Sequence, residues 1–258
     1  MKTATYVIGA LLAVLGASHA AAASCNPASF HIILDVGHTP EAPGAISARG
    51  GTEYDFNLRL AQRIERAMQE RGFTKTTHLI TRGKAQAGLV ARVATANAAK
   101  ADLFISIHHD SVPEALLANW DFLGAVGRHN DQFRGHSIFV SAGHPQYARS
   151  LAFARTLGLA LKEKGLAYTP HYTEKIMGAR RRQLVDREAG VYRFDRLAVL
   201  LGTKMPAVLL EAGSIINRDE ELVMESPERQ GSIAEAVTEA VERFCAQSRK
   251  RSSGRTAK

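Results

Sequence analysis

Residues 101–109 read ADLFISIHH, an apolar run that ends in two histidines. Leu103, Ile105 and Ile107 share one parity and Phe104 holds the other, so both faces of an extended chain are apolar. That is the mark of a strand covered on both sides, as in a parallel sheet between helices. FHIILDVGH (30–38), GHSIFVS (135–141) and MPAVLLEAG (205–213) repeat the pattern, and HLITR (78–82) supplies a shorter strand.

Helical periodicity fills the intervals between these strands. EYDFNLRLAQRIERAMQE (53–70) places Phe56, Leu60, Ile64, Ala67 and Met68 on one face before Gly72 ends the segment. A second helix is expected over 86–100 with Leu89, Val93 and Ala96 inward, a third within 145–165, and a closing one over 229–246. Alternating strands and helices predict an α/β fold: a single domain with a largely parallel mixed β-sheet covered by helices on both faces.

The first residues, MKTATYVIGALLAVLGASHAAAASC, carry one lysine, an apolar run from Tyr6 to Leu15 and small residues suited to cleavage after Ala20 or Ala23. The run is too short to cross a bilayer, so 1–23 reads as a signal peptide. Export to the periplasm follows as an expectation, and the mature chain is expected to have no transmembrane segment. Removing the signal takes away only Lys2, leaving +7 of the formal net charge of +8. Five of those charges sit in the last ten residues, so 247–258 reads as a basic flexible tail. The positive balance suits a polyanionic neighbour such as an acidic wall polymer, or simply a solubilising surface. Export, the lack of an aromatic ladder and the lack of zinc-finger spacing argue against nucleic acid. The two cysteines, Cys25 and Cys245, leave three arrangements open: a disulfide, free thiols, or lipidation of Cys25 as an outer-membrane lipoprotein.

Chemistry gathers where the strands end, since ligands of such sheets collect beyond the carboxyl ends of their strands. His38 follows ILDVG, His108 follows FISI and Glu211 follows PAVLL, while Glu53 opens the first helix. Two imidazoles and one carboxylate would bind Zn²⁺ and leave a position for water. Glu211 would then be free to move protons. Period-two alternation sends His108 and His109 to opposite faces, so one of the pair suits a given pocket. Asn57, one helical turn beyond Glu53, either orients that carboxylate or caps a neighbouring loop. A turn histidine, a helix-start carboxylate and a core histidine remain the plain readings of the same residues.

LDVGHTP, TEYDFNL, LITR, FISIHHDS and MPAVLLEAGSIINRDEE, in this order, resemble the zinc-dependent N-acetylmuramoyl-L-alanine amidases of the amidase 3 family. The likeness covers about residues 31 to 244, and the catalytic domain is taken as 30–246. It implies hydrolysis of the amide between N-acetylmuramic acid and L-alanine in bacterial peptidoglycan, with one Zn²⁺ on His38, Glu53 and His108. It also assigns catalysis to Glu211, thereby choosing His108 over His109. Arg82 and Asn217 match recurrent family positions as substrate or supporting residues, and His109 borders the cleft or packs in the core. Two alternatives stay open: action mainly on small soluble muropeptides, and a catalytically silent cell-wall-binding protein.

Two segments remain. The insertion 111–135 contains ALLANWDFL, apolar at helical spacing. It walls the substrate groove or, as the resemblance implies for some relatives, forms a helix over the site that an activator protein displaces. Arg180, Arg181 and Arg182 either meet stem-peptide carboxylates or wall polymer, or form a solvated end in which Asp186 and Asp195 pair with them locally.

Overall fold

A computed structural model of the protein describes residues 25–253. The expected signal peptide and the last five residues of the expected tail lie outside the described residues. The described elements are β1 (Ile32–Val36), α1 (Glu53–Glu70), β2 (Thr76–Leu79), α2 (Ala85–Ala99), β3 (Leu103–Asp110), β4 (Ala118–Phe122), β5 (Ala125–His129) and β6 (Ser137–Val140). There follow α3 (Tyr147–Glu163), β7 (Gln183–Asp186), β8 (Val191–Arg193), α4 (Ala198–Gly202), β9 (Ala207–Ser214), α5 (Arg218–Glu225) and α6 (Pro227–Ser253).

Seven strands form one sheet in the order β2-β1-β3-β9-β6-β8-β7. The β2/β1, β1/β3, β3/β9 and β6/β8 pairs are parallel, while β9/β6 and β8/β7 are antiparallel. The mixed sheet is thus mostly parallel, as the apolar runs predict. Side-chain parity divides its two covered faces. Ile32, Leu34, Ile105, Ile107, Val208 and Leu210 enter the core under α1, α3 and α6. Ile33, Phe104, Phe139, Tyr192 and Leu209 enter the other, which α2 and α4 cover.

Four sequence expectations need correction. In α2 the fully buried stripe is Gly88, Arg92 and Ala96, with Leu89 and Val93 only half-buried beside it and Leu89 packed against the second core. The insertion is no helix: β4 and β5 pair as an antiparallel hairpin. Leu123 and Gly124 supply its left-handed turn, with φ of 53° and 81°, which matches the twist of the flanking strands. Asp186 and Asp195 pair with Arg155 and Arg193, not with the 180–182 arginines. Finally, α6 continues to Ser253, so the basic residues expected as tail from 247 begin as helix. Cations at a helix carboxyl end are favoured by its dipole.

Cys25 and Cys245 form a disulfide across a sequence separation of 220. The bond takes the sulfur that a lipid anchor at Cys25 would need, so the lipoprotein alternative falls. Among the described residues no helix is long and apolar enough to cross a membrane. Closing so long a loop chiefly restricts the unfolded chain. Cys25→Ser is expected to lower stability by about 2–5 kcal/mol, read as an earlier midpoint in denaturant melts. An unchanged midpoint would show that the closure adds nothing.

His136, the residue before β6, is 4% exposed, and burial pushes its imidazole down to about 4. Its folded value lies below the 6.5 of an open imidazole, so the unfolded chain binds the proton first as acid is added. The neutral ring's contribution is complete above about pH 6.5 and drains away toward pH 4, by about 3 kcal/mol over that window. Urea melts across the window should show this loss, and His136→Gln should flatten the slope. An equal slope in the variant would assign the acid sensitivity elsewhere.

Candidate metal centre and cleft

The site begins with backbone that glycine permits. Gly37 follows β1, and a Cβ there would overlap the His108 ring. Gly44 has φ +82°, and a Cβ there would press on both the Glu53 carboxylate and the His38 ring. His38 itself sits in the left-handed region at φ 68°, a conformation that costs a non-glycine residue of order 1–3 kcal/mol.

Beneath this turn lies a buried polar cluster. Arg92 of α2 donates to the His38 carbonyl, to Thr81 Oγ1 at 2.9 Å, and pairs with Asp35 Oδ2 at 3.5 Å. Ser106 Oγ donates to the same Asp35 oxygen at 2.6 Å. Burial raises the Asp35 carboxyl, and the Arg92 charge opposes the rise. The cluster thereby pins the His38 backbone to β1, β3 and α2 together.

Glu53 is the first residue of α1, whose start is capped by Thr52. Its Oε2 accepts from the Ala45 amide at 3.0 Å and lies 3.0 Å from His38 Nε2. Its Oε1 lies 2.8 Å from His108 Nδ1. Burial alone would raise this carboxyl, but hydrogen bonds from His108 and His38 outweigh it and hold the group well below the usual carboxylate range. Ligand atoms of His38, Glu53 and His108 all lie within 4.8 Å of one another. Two imidazole nitrogens and an ionised oxygen at such spacing fit a divalent metal ion, with the side toward the cleft left open.

Glu211 completes the group. It sits in β9 directly beside His108 of β3, on the same face, and lines the same cleft of about 690 Å³. Its Oε2 is buried without a hydrogen-bond partner. Burial, then the Asp110 and Glu53 charges, push its carboxyl well above the usual range.

The family model described as Amidase_3, N-acetylmuramoyl-L-alanine amidase, matches residues 32–243. The chain belongs to this family. AmiC of Escherichia coli O6:H1, an N-acetylmuramoyl-L-alanine amidase, is 26% identical over 240 residues, covering 83% of this chain and 52% of that protein. AmiC of Neisseria meningitidis serogroup B is 27% identical over 232 residues, covering 83% and 52%. The chain spans about half the length of these curated relatives. Among solved structures, the amidase Ami1 of Mycobacterium smegmatis superposes with a TM-score of 0.64 at 20% identity, covering 86% of this chain and 99% of that one. The catalytic domain of CwlV from Bacillus (Paenibacillus) polymyxa gives 0.59 at 23% identity, covering 83% and 97%. At such identities these structures establish the fold.

The remaining sequence candidates of this Amidase_3 domain fall into different places. His109 is among the residues lining the cleft, but it is 2% exposed, with Nδ1 2.7 Å from Asn57 Oδ1 and its ring against Phe56. Burial pushes it down to about 3, so it stays neutral and donates to the amide oxygen. Asn57 donates in turn to the Gly37 carbonyl at 3.2 Å; it steadies the turn before His38 rather than the Glu53 carboxylate. Arg82 is exposed outside the cleft, near Glu41. Asn217 caps α5 by accepting from the Asp219 and Glu220 amides and donates to the Asp131 and Phe133 carbonyls. It therefore ties the end of the insertion to the chain leaving β9.

The hairpin walls the cleft. Trp120 Nε1 donates to the Ala48 carbonyl at 2.9 Å, and the guanidinium groups of Arg49 and Arg218 cover its ring. Leu117 and Arg128 from this segment face the cleft. Sequence reasoning missed Asp35, Arg92 and a further cluster around Asp110. There Tyr172 donates to Asp110 Oδ1 at 2.7 Å, and His171 Nε2 lies 3.5 Å from Oδ2. The available signal was a carboxylate inside an apolar strand, which burial obliges to find a partner.

Proposed function

We propose that this chain hydrolyses the amide joining N-acetylmuramic acid to the L-alanine of the peptidoglycan stem peptide, with Zn²⁺ held by His38, Glu53 and His108. The observation that carries the reading is the convergence of those three ligand atoms within 4.8 Å beside the register-paired Glu211. Zn²⁺ in such a set supplies Lewis acidity, polarising a carbonyl and lowering the pKa of water from about 15.7 toward about 7.

The protein's own groups do the rest. Burial raises the Glu211 carboxyl, but the positive charge of an ion on the neighbouring ligands would favour its ionised form, in which it would accept the proton of the attacking water and return it to the departing alanine nitrogen. Phe194 and Leu197 line the cleft and exclude bulk water beside it. The insertion forms one wall of the cleft through Val112, Leu117 and Arg128. Residues 1–23 act as a signal peptide, 30–246 as the catalytic domain, and the basic end beyond 247 as an extension toward the anionic wall. A disulfide suits the oxidising periplasm to which that signal would send the chain.

Mass analysis of the products of the mature protein, on soluble muropeptides and on sacculi, tests the bond and the substrate size together. Free stem peptide beginning in L-alanine, lost with chelator and restored by Zn²⁺, is the expected result. Intact substrate under Zn²⁺-replete conditions would refute the activity.

A further inference from the structure

We infer that Arg180 and Arg182 form a carboxylate-reading end of the cleft, so that the protein prefers stem peptides whose second residue carries a free carboxyl over those in which it is amidated. The inference rests on the amidase reading and adds the residues that set its specificity.

Of the three consecutive arginines, two line the cleft and one does not. Arg181 turns away to donate to the Thr173 carbonyl, while Arg180 and Arg182 line the cavity with Glu211 and His108. Arg180 Nη1 donates to the Ser111 carbonyl at 3.2 Å, which leaves the rest of its fork free. The Arg182 guanidinium carbon lies over the Phe194 ring, 3.7 Å from its centroid. Its Nη1 donates to the Ala179 and Arg181 carbonyls, and its Nε is buried with no partner.

Arg180 feels the Asp110 and Glu211 charges across the cleft, but no carboxylate closes on either guanidinium. Elsewhere arginines meet carboxylates: Arg128 with Glu114, Arg155 with Asp186, Arg193 with Asp195. Among the described residues neither Arg180 nor Arg182 forms an ion pair with a carboxylate. Asp110 is engaged by Tyr172, and Arg128, the other cation of the wall, is already matched by Glu114. Arg180, engaged at one nitrogen only, keeps the paired N–H groups that bind a carboxylate through two parallel hydrogen bonds, and Arg182 adds its charge and its Nη2 beside them.

The reach also fits. Ser111 lies three residues beyond His108, about 10 Å along extended backbone. An extended stem peptide carries the carboxyl of its second residue about 7–10 Å past the scissile nitrogen. Amidation would remove the anion and turn an amino group toward donors that need an acceptor, a mismatch of about 10–100-fold.

The test compares kcat/KM on two soluble muropeptides that differ only in a free or amidated carboxyl on the second residue. Wild type should favour the free acid by at least about tenfold, mostly through KM. Arg180→Gln and Arg182→Gln should each pull the ratio toward one, with thermal melts confirming the fold. Competition by the product peptides on wild type gives a readout that needs no variant: the acid form should inhibit at lower concentration than the amide. Equal cleavage and equal inhibition by both forms would overturn the inference while leaving the amidase reading intact. Cleavage of neither form would overturn both.

Discussion

Glu211→Gln is expected to reduce turnover by about 10²–10⁴-fold while the protein keeps its metal. Glutamine preserves the shape of the side chain and can still accept a hydrogen bond, but it cannot take a proton from water at neutral pH. Glu211 lies outside the group of mutually close ligand atoms, so its replacement leaves the donor set whole. The substitution should also be well tolerated by the fold, because the buried Glu211 Oε2 has no hydrogen-bond partner to lose. Single-turnover rates on a soluble muropeptide, paired with elemental analysis of the same sample, separate the two effects. Wild-type turnover in the variant would remove Glu211 from the mechanism.

The second large effect belongs to the imidazoles. His108→Ala is expected to lose both metal and activity, the latter by at least about 10³-fold, since two remaining protein ligands hold a divalent ion poorly. His109→Gln provides the contrast. That ring faces Asn57 and Phe56, so the variant should lose stability and retain most of its bound metal. Titrating Zn²⁺ into chelator-stripped samples gives the comparison directly. Equal metal affinity in the two variants would defeat the assignment of ligands.

Much of this geometry was legible because strand chemistry is directional. Two-residue alternation alone separates His108 from His109, and both-face apolarity identifies the interior strands. Arg92 escaped notice for an equally physical reason. Helical patterning assigns arginine to solvent, and only the unpaired Asp35 in the neighbouring strand creates the need for it to point inward. The hairpin was hidden by Leu116, Leu117, Trp120 and Leu123, whose spacing satisfies a helix. Leu123 adopts a left-handed backbone that its side chain disfavours, so Gly124 was the only local sign of a turn. The end of α6 shows that a solvated basic run and a helix are compatible descriptions of the same residues.

The bond between Cys25 and Cys245 makes nearly the whole described backbone a covalent ring. One proteolytic nick anywhere inside that ring releases no fragment, because both halves stay joined through sulfur until a reductant reaches them. A nicked molecule would migrate as two pieces only after reduction, and under oxidising conditions it would retain every side chain of the cleft.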